Sequence, residues 1–475
     1  MANSRKPARS DPSDALTEAV AADLAQRLLS LRRPRVALAC SGGRDSSVLL
    51  DVLARLRADF DFELLAFHVH HGLSVHADAW AEQVEQQAAA LGVPAQVARV
   101  RIDRAPQTSL EALAREARYG ALDRLCAAHA VNVLALAHHA DDQAETVLLQ
   151  LVRGAGLPGL AAMPRWMEGT PAARWRPLLE VERAAIDAYA QARSIDYVDD
   201  ESNAQLHLRR NAVRHEVLTP LRRQLPHAAL AIGRSARHVQ SALELLREIG
   251  AADLASVRTA QGLSIAGLAA LSDAHRLNAL RTWIETLRIP APSDARLAEI
   301  WRQMHAAQAS GQPYVAHAGG RFMRHRDTLA YVGAAGEGGA MVSAEEERLG
   351  WPAEGAWRLP AWQGAFHAVP AAVGLTQAQL QQGRWHACAR SGGERLRIAA
   401  NRPSRDLKHW YQTLGIAAWQ RTGAPLLWLD GRLCCVPHVG MAAELVSSGD
   451  ERFAIEWRPD AERSEEHTSE LQSPC

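Results

Sequence analysis

The chain has 475 residues, of which 48% are hydrophobic and 22% charged, with 53 basic and 53 acidic side chains. At ~150 residues per domain that length predicts two or three domains, and the composition is that of a globular protein able to bury several cores. The zero formal charge excludes a uniformly basic nucleic-acid coat. The basic side chains are almost all arginine, with Lys6 and Lys408 the two lysines.

The first 34 residues hold Glu18 and Asp23 within their apolar stretch and predict an amphipathic helix, not a secretory signal or a membrane span. From there two periods alternate. Residues 36–40, 64–69, 95–100 and 131–137 are short apolar runs that predict strands. Residues 46–56, 78–91, 109–129 and 141–153 have helical spacing. Strands alternating with helices of this length predict βαβ units, a doubly wound parallel sheet and right-handed crossovers. Residues 154–173 are punctuated by Gly and Pro and read as a loop. Residues 181–310 read as mostly helical, and 333–339 (GAAGEGG) is the best linker. Beyond the linker, 426–429 and 433–436 flank Asp430-Gly431, a hairpin turn pair. A small mixed α/β domain is expected there. The cysteines stand at 40, 126, 388, 434, 435 and 475 with no CxxC pair. Neither a zinc site nor a disulfide framework is expected, and a reducing cytosol is the default. Residues 463–474 (RSEEHTSELQSP) read as the translation of a common sequencing-library adapter, so the segment 463–475 is expected to be an artefact.

The strongest local signal is Ser41-Gly42-Gly43-Arg44-Asp45-Ser46, between a strand and a helix. Glycines permit close approach of a ligand. Free N–H groups at a helix start, aided by the helix dipole, face an anion. Asp45 suits a Mg²⁺ ion riding on phosphates. No Lys-Ser/Thr pair follows the glycines, so the loop is not a Walker A motif. The bland alternative is a Ser/Gly turn with an Asp cap. After the fourth strand comes His138-His139-Ala140-Asp141-Asp142-Gln143-Ala144-Glu145. Asp142 and Glu145 are three apart and share a helix face. His138, Asp142 and Glu145 together suit metal binding, substrate orientation or proton transfer. The acids also suit a plain first turn complementing the helix dipole.

A strand, SGGxDS and a helix resemble the N-type ATP pyrophosphatases, which have an adenine nucleotide alpha hydrolase-like fold. SGGRDS followed by HVHHGL (68–73), SLEALAREARY (109–119), HHADDQAET (138–146), RPLL (176–179), DESN…RNAVR (200–214) and SGGERLR (391–397) resembles the tRNA(Ile)-lysidine synthetase family. The resemblance implies an ATP-pyrophosphatase catalytic domain at 35–215, a helical substrate-binding domain at 216–335 and a tRNA-binding domain at 350–460. It implies ligation of free L-lysine to C2 of the wobble cytidine of tRNA(Ile) with a CAU anticodon. The intermediate is an adenylated cytidine, and ATP becomes AMP and pyrophosphate. By resemblance Ser41, Gly42, Gly43, Arg44, Asp45 and Ser46 bind ATP, with Asp45 also the Mg²⁺ ligand. Asp45, His138, Asp142 and Glu145 would be catalytic, and either Asp142 or Glu145 would deprotonate the lysine amine. Arg115, Arg118, Arg210, Asn211, Arg214, Arg395, Arg397 and Lys408 would contact tRNA. Arg115 and Arg118 read equally well as a solvated face with Glu111. The resemblance further implies a cytoplasmic location with no membrane partner, and it is compatible with a homodimer.

Residues 205–240 hold seven arginines against Glu216, and 384–408 hold six arginines and Lys408 against Glu394 and Asp406. Cations interleaved with Trp385 and Trp410 suit an RNA backbone, while core packing is the bland reading of the tryptophans. A thiolase of the same superfamily would need catalytic or zinc-binding cysteines, usually CxxC pairs, and the chain has no CxxC. A non-catalytic nucleotide- or RNA-binding module would not need the acids after strand four.

Overall fold

The computed structural model describes residues 12–28, 33–72, 74–102, 110–198, 209–306, 313–333, 346–348, 350–422 and 424–460. The tail at 463–475, the linker beyond Gly333 and the motif at 200–203 lie outside the described residues. Two compact units divide the chain, Met1–Leu245 and Leu246–Cys475.

The first unit opens with α1 (Pro12–Leu28) and then alternates β1 (Arg35–Ala39), α2 (Arg44–Leu56), β2 (Glu63–His70), α3 (Ala77–Ala90), β3 (Ala95–Arg99), α4 (Leu110–Ala128), β4 (Val133–Ala135) and α5 (Ala140–Val152). Each predicted strand and helix of this stretch is present, shifted at most two residues at its ends. The short α6 (Leu157–Leu160), β5 (Trp166–Met167) and β6 (Ala173–Trp175) follow, then α7 (Arg183–Ala192). The sheet order is β3-β2-β1-β4-β6-β5. All neighbours pair parallel except the edge pair β5–β6. Residues 154–173 were expected to be loop, yet β5 and β6 extend the sheet from the end of that stretch. Strands of two and three residues leave no period to read.

Alternation along β1 builds both faces of the core. Val36, Leu38 and Cys40 pack with Leu16, Val20 and Leu24 of α1, Leu49 and Leu53 of α2 and Ile186 of α7. Ala37 and Ala39 face the other way, onto Leu122 and Cys126 of α4. A strand buried on both faces must read as a continuous apolar run, as this one does. The order reverses at β1, whose neighbours are β2 and β4, and the crevice outside the carboxyl ends of β1 and β4 is where open sheets of this kind take ligands. Past a further described helical stretch, α8 (Arg209–Ala212), a π-helix (Val213–Leu218) and α9 (Thr219–Gln224), comes the long α10 (Ala228–Val257).

The second unit departs from the helical reading. Its helices α11 (Ile265–Ala270), α12 (Asp273–Thr286) and α13 (Asp294–Ala306) accompany a five-stranded antiparallel sheet. That sheet runs β7 (Arg258–Thr259), β8 (Gly262–Ser264), β11 (Thr328–Val332), β10 (Gly320–His325), β9 (Tyr314–His317). Trp283, Leu297, Ile300, Phe322 and Leu329 form the shared core. The remainder is mixed α/β, as expected. The predicted hairpin joins Leu426–Leu429 to Arg432–Val436, with Asp430 at φ 50° and Gly431 at φ 74°. Those left-handed angles are what a two-residue primed turn demands.

One polar contact pins α1 to the sheet. Asp23 is buried and accepts from Trp175 Nε1 and from Arg165 Nε at 2.9 Å. Asp23→Ala would leave a buried indole N–H and a guanidinium without their acceptor. We expect a loss of about 2–4 kcal/mol in urea unfolding; a change within error would show that α1 is held by its apolar face alone.

Candidate active site

Residues 41–46 form a closed turn between β1 and α2. Gly42 sits at φ +84°, and a Cβ there would lie 3.2 Å from Val84 Cγ2. Its carbonyl accepts from Val198 N–H at 2.9 Å. Ser46 Oγ donates to the Gly43 carbonyl at 2.9 Å and accepts from Ser41 N–H at 3.2 Å. Gly43 caps α2 without a side chain. The N–H groups of Ser46 and Ser47 turn back to the Gly43 carbonyl, which leaves those of Arg44 and Asp45 ahead of the first helical bond. That is the ready-made anion site of a helix start. The Arg44 side chain leaves the loop, pairing with Asp187 at 2.6 Å and lying over Tyr197. Asp45 keeps its Oδ1 buried with no hydrogen-bond partner.

Across the crevice, α5 begins at His139, a residue the sequence reading passed over. Its Nδ1 accepts from Asp141 N–H at 3.2 Å, and Asp142 Oδ2 accepts from the His139 N–H at 3.0 Å. Together these form a capping box. Glu145 is fully buried, and its two oxygens meet Arg214 Nε at 2.6 Å and Arg210 Nε at 2.7 Å. Asp142 Oδ1 takes Arg210 Nη2 at 2.8 Å, and Asp141 pairs with Arg222. Burial resists ionisation of Asp142, but His139, Arg210 and His138 outweigh it and hold the carboxyl well below the usual range.

Arg210 and Arg214 are expected from the sequence to contact tRNA phosphate or ATP; here they are turned onto the acids of α5, with 28% and 20% of their side chains exposed. Asn211 is buried between them in sequence. The π-helix continues the chain after Arg210, with the Thr219 N–H reaching back to the Arg214 carbonyl. Asp142 and Glu145 are thus occupied by guanidinium groups, an arrangement that suits holding cations better than taking a proton.

His138 makes no ion pair or hydrogen bond among the described residues, and its Nδ1 is buried without a partner. Burial pushes its pKa down to about 3, opposed by Asp142 and assisted by Arg176, Arg210 and Arg118. The ring is therefore neutral. Arg118 is exposed, and the crowding of other atoms around its guanidinium lowers its proton affinity. It makes no ion pair among the described residues. Arg115 lies over the Tyr119 ring, 5.2 Å from its centroid. Arg176, buried, donates to the Pro164 carbonyl at 2.8 Å.

In the second unit, Arg395 pairs with Asp406 at 3.1 Å and Arg397 with Glu444 at 3.4 Å. Lys408 is exposed, as are Arg402 and Arg405, which the sequence reading counted but did not single out. None of these last three makes an ion pair among the described residues. Trp385 and Trp410 are core residues: their indole N–H groups donate to Leu380 and Leu396 carbonyls at 3.1 and 2.8 Å.

A doubly wound sheet whose first strand ends in such a loop defines an ATP pyrophosphatase of the PP-loop class, and residues 16–221 match the family described as the PP-loop domain. Residues 263–330 match the TilS substrate binding domain and 386–457 the TilS substrate C-terminal domain. The tRNA(Ile)-lysidine synthase of Burkholderia pseudomallei is 40% identical over 461 residues, covering 90% of this chain and 93% of that protein. That of Ralstonia nicotianae is 40% identical over 441 residues, with the same two coverages of 90% and 93%. The chain belongs to the tRNA(Ile)-lysidine synthase family. Among solved structures, the U34-tRNA thiolase NcsA from Methanococcus maripaludis aligns at a TM-score of 0.42 and 17% identity, over 48% of this chain and 79% of that one.

The depressed proton affinity of His138 has a pH signature. An unfolded histidine takes a proton as pH falls through about 6.5, whereas the folded ring does so only near 3. Between those values the unfolded state binds more protons, so stability falls as pH falls. Below about pH 4 Asp142 adds to the loss in the same direction. We expect His138→Gln to shrink the drop in unfolding free energy between about pH 7 and pH 5. An unchanged drop in urea titrations would refute the buried neutral ring.

Proposed function

We propose that this chain makes lysidine, joining free lysine to C2 of the wobble cytidine of a CAU-anticodon tRNA(Ile) at the expense of ATP. The observation that supports this most is the placement of two complementary sites on the β1 and β4 sides of one crevice. One side offers helix-start N–H groups to phosphates; the other presents a neutral histidine among arginines.

The cytosine O2 attacks the α-phosphorus of ATP, and pyrophosphate leaves. The loop N–H groups of Arg44 and Asp45, with the Ser41 and Ser46 hydroxyls, hold the departing phosphates. Among the described residues no group of three or more His, Cys, Asp or Glu side chains is placed to hold a metal. Asp45, with one unsatisfied oxygen, suits an ion that draws its other ligands from phosphates and water, as Mg²⁺ does. Bound there, Mg²⁺ would neutralise phosphate charge. Arg118 has no counter-charge among the described residues and is our candidate to meet the charge that builds on the α-phosphate.

In the second step the lysine amine attacks C2, AMP leaves, and the amine loses its protons to solvent. From the sequence, Asp142 or Glu145 is the expected base. Their arginine partners favour a different role, holding Arg210 and Arg214 beside His138. The burial that disfavours charge on His138 would equally disfavour an ammonium, so the lysine would enter as the reactive free amine. The exposed Arg402, Arg405 and Lys408 are our candidates for tRNA phosphate contacts, with Arg395 and Arg397 shaping the same loop. We place the enzyme in the cytoplasm; no described helix is long and apolar enough to cross a membrane.

Steady pyrophosphate release should require both tRNA(Ile) and lysine. Arg118→Ala should lower that rate by about 100-fold with little change in melting temperature. Equal release with ammonia or sulfide in place of lysine would overturn the assignment. A fully active Arg118→Ala enzyme would remove Arg118 from it.

A further inference from the structure

His139 stands between the two sides of the crevice. Its side chain is 1% exposed. Because Nδ1 accepts the Asp141 N–H, it is bare, and the ring's N–H lies at Nε2. Nε2 lies 3.6 Å from Asp45 Oδ2 and 3.6 Å from Asp142 Oδ2. One proton donor thus faces two carboxylates, one following β1 and the other following β4.

The two carboxylates are not equally constrained. Asp142 is already fixed by the His139 backbone N–H and by Arg210. Asp45 makes no other ion pair among the described residues, and its Oδ1 is buried and unpartnered. We infer that His139 is a positioning residue for Asp45: its Nε2–H draws Oδ2 toward α5 and leaves Oδ1 turned toward the incoming ligand. At 3.6 Å the contact is an electrostatic tether longer than a hydrogen bond. Such contacts tighten when the ligand arrives. The capping role alone would ask only for a short acceptor at this position. Ser, Asp or Asn would serve better than a buried imidazole, and none of them would reach Asp45.

This inference rests on the proposal that Asp45 meets Mg²⁺ and ATP. The test separates the cap from the tether. His139→Asn keeps a cap acceptor and loses the reach; His139→Ala loses both. We expect His139→Asn to melt close to the unsubstituted protein and to bind ATP in EDTA with unchanged affinity. Its half-saturating Mg²⁺ concentration, for ATP binding by calorimetry and for pyrophosphate release, should rise by about tenfold or more, the usual effect of losing an outer partner of a metal ligand. His139→Ala should lose stability as well. A wild-type Mg²⁺ response in His139→Asn would overturn the inference. So would a parallel loss of EDTA-insensitive ATP binding, which would mean that the whole loop had moved. If the unsubstituted protein releases no pyrophosphate with tRNA and lysine, the proposed function fails, and the calorimetric comparison still decides the role of His139.

Discussion

Glu145 is an ionisable side chain with no exposed surface, and the two guanidinium groups that meet its oxygens hold the site in shape. A carboxylate taken out of water costs several kcal/mol unless it is paired and hydrogen-bonded. Here each oxygen has its own donor, and Asp142 takes what remains of Arg210. The pairing is also a constraint on chain path. Arg210 and Arg214 must stay on one face across the junction of α8 with the π-helix, and the widened turn lies where both reach α5. Leu218 and Ala229 then pack on Ala140 and Ala144, so an ionic contact and an apolar one hold the same helix in place.

This arrangement sorts charge by distance. The acids of α5 are near-neutralised by Arg210, Arg214 and Arg222. Arg118 and Arg176, on other elements, have no such counter-ions among the described residues, and both have their proton affinity lowered by burial. Burial holds the His138 ring neutral far below its ordinary range, and Arg176, Arg210 and Arg118 act in the same direction against Asp142. A crevice of this kind stabilises negative charge developing on a phosphate and destabilises a second cation. Both halves of a two-step adenylation and amine transfer ask for that polarity.

The catalytic half of the fold was legible because its strands are buried on both faces. Val36 through Cys40 must all be apolar, and the helices between strands are long enough to show a 3.6-residue period. The ATP loop was legible for a different reason: two adjacent glycines between a strand and a helix start let an anion approach the free N–H groups closely. What was not legible depended on contacts distant in sequence. Residues 173–175 become a strand because β4 offers an edge. Trp385 and Trp410 look like stacking surfaces among arginines until their N–H groups are found bonded inside the core. His139 looked like a neighbour of the interesting histidine, since its value lies in Asp45, ninety-four positions away in the chain. Arg210 and Arg214 stand out in the sequence as cations near the site, but a sequence does not say which anion they face, and in the fold it is Asp142 and Glu145.

That last distinction changes what the charge balance means. Excluding residues 463–475, the chain carries 52 basic and 50 acidic side chains, still close to neutral. Near-neutrality would argue against a polyanionic substrate if cations and anions were spread evenly. They are not. In the 384–408 stretch Arg395 and Arg397 have acidic partners, whereas Arg402, Arg405 and Lys408 have none among the described residues. Paired arginines shape the surface, and the minority without acids set its potential. Counterion release depends on cations that are free to meet phosphate, so a protein of almost no net charge can bind RNA through a few side chains, provided the rest are neutralised by the fold itself.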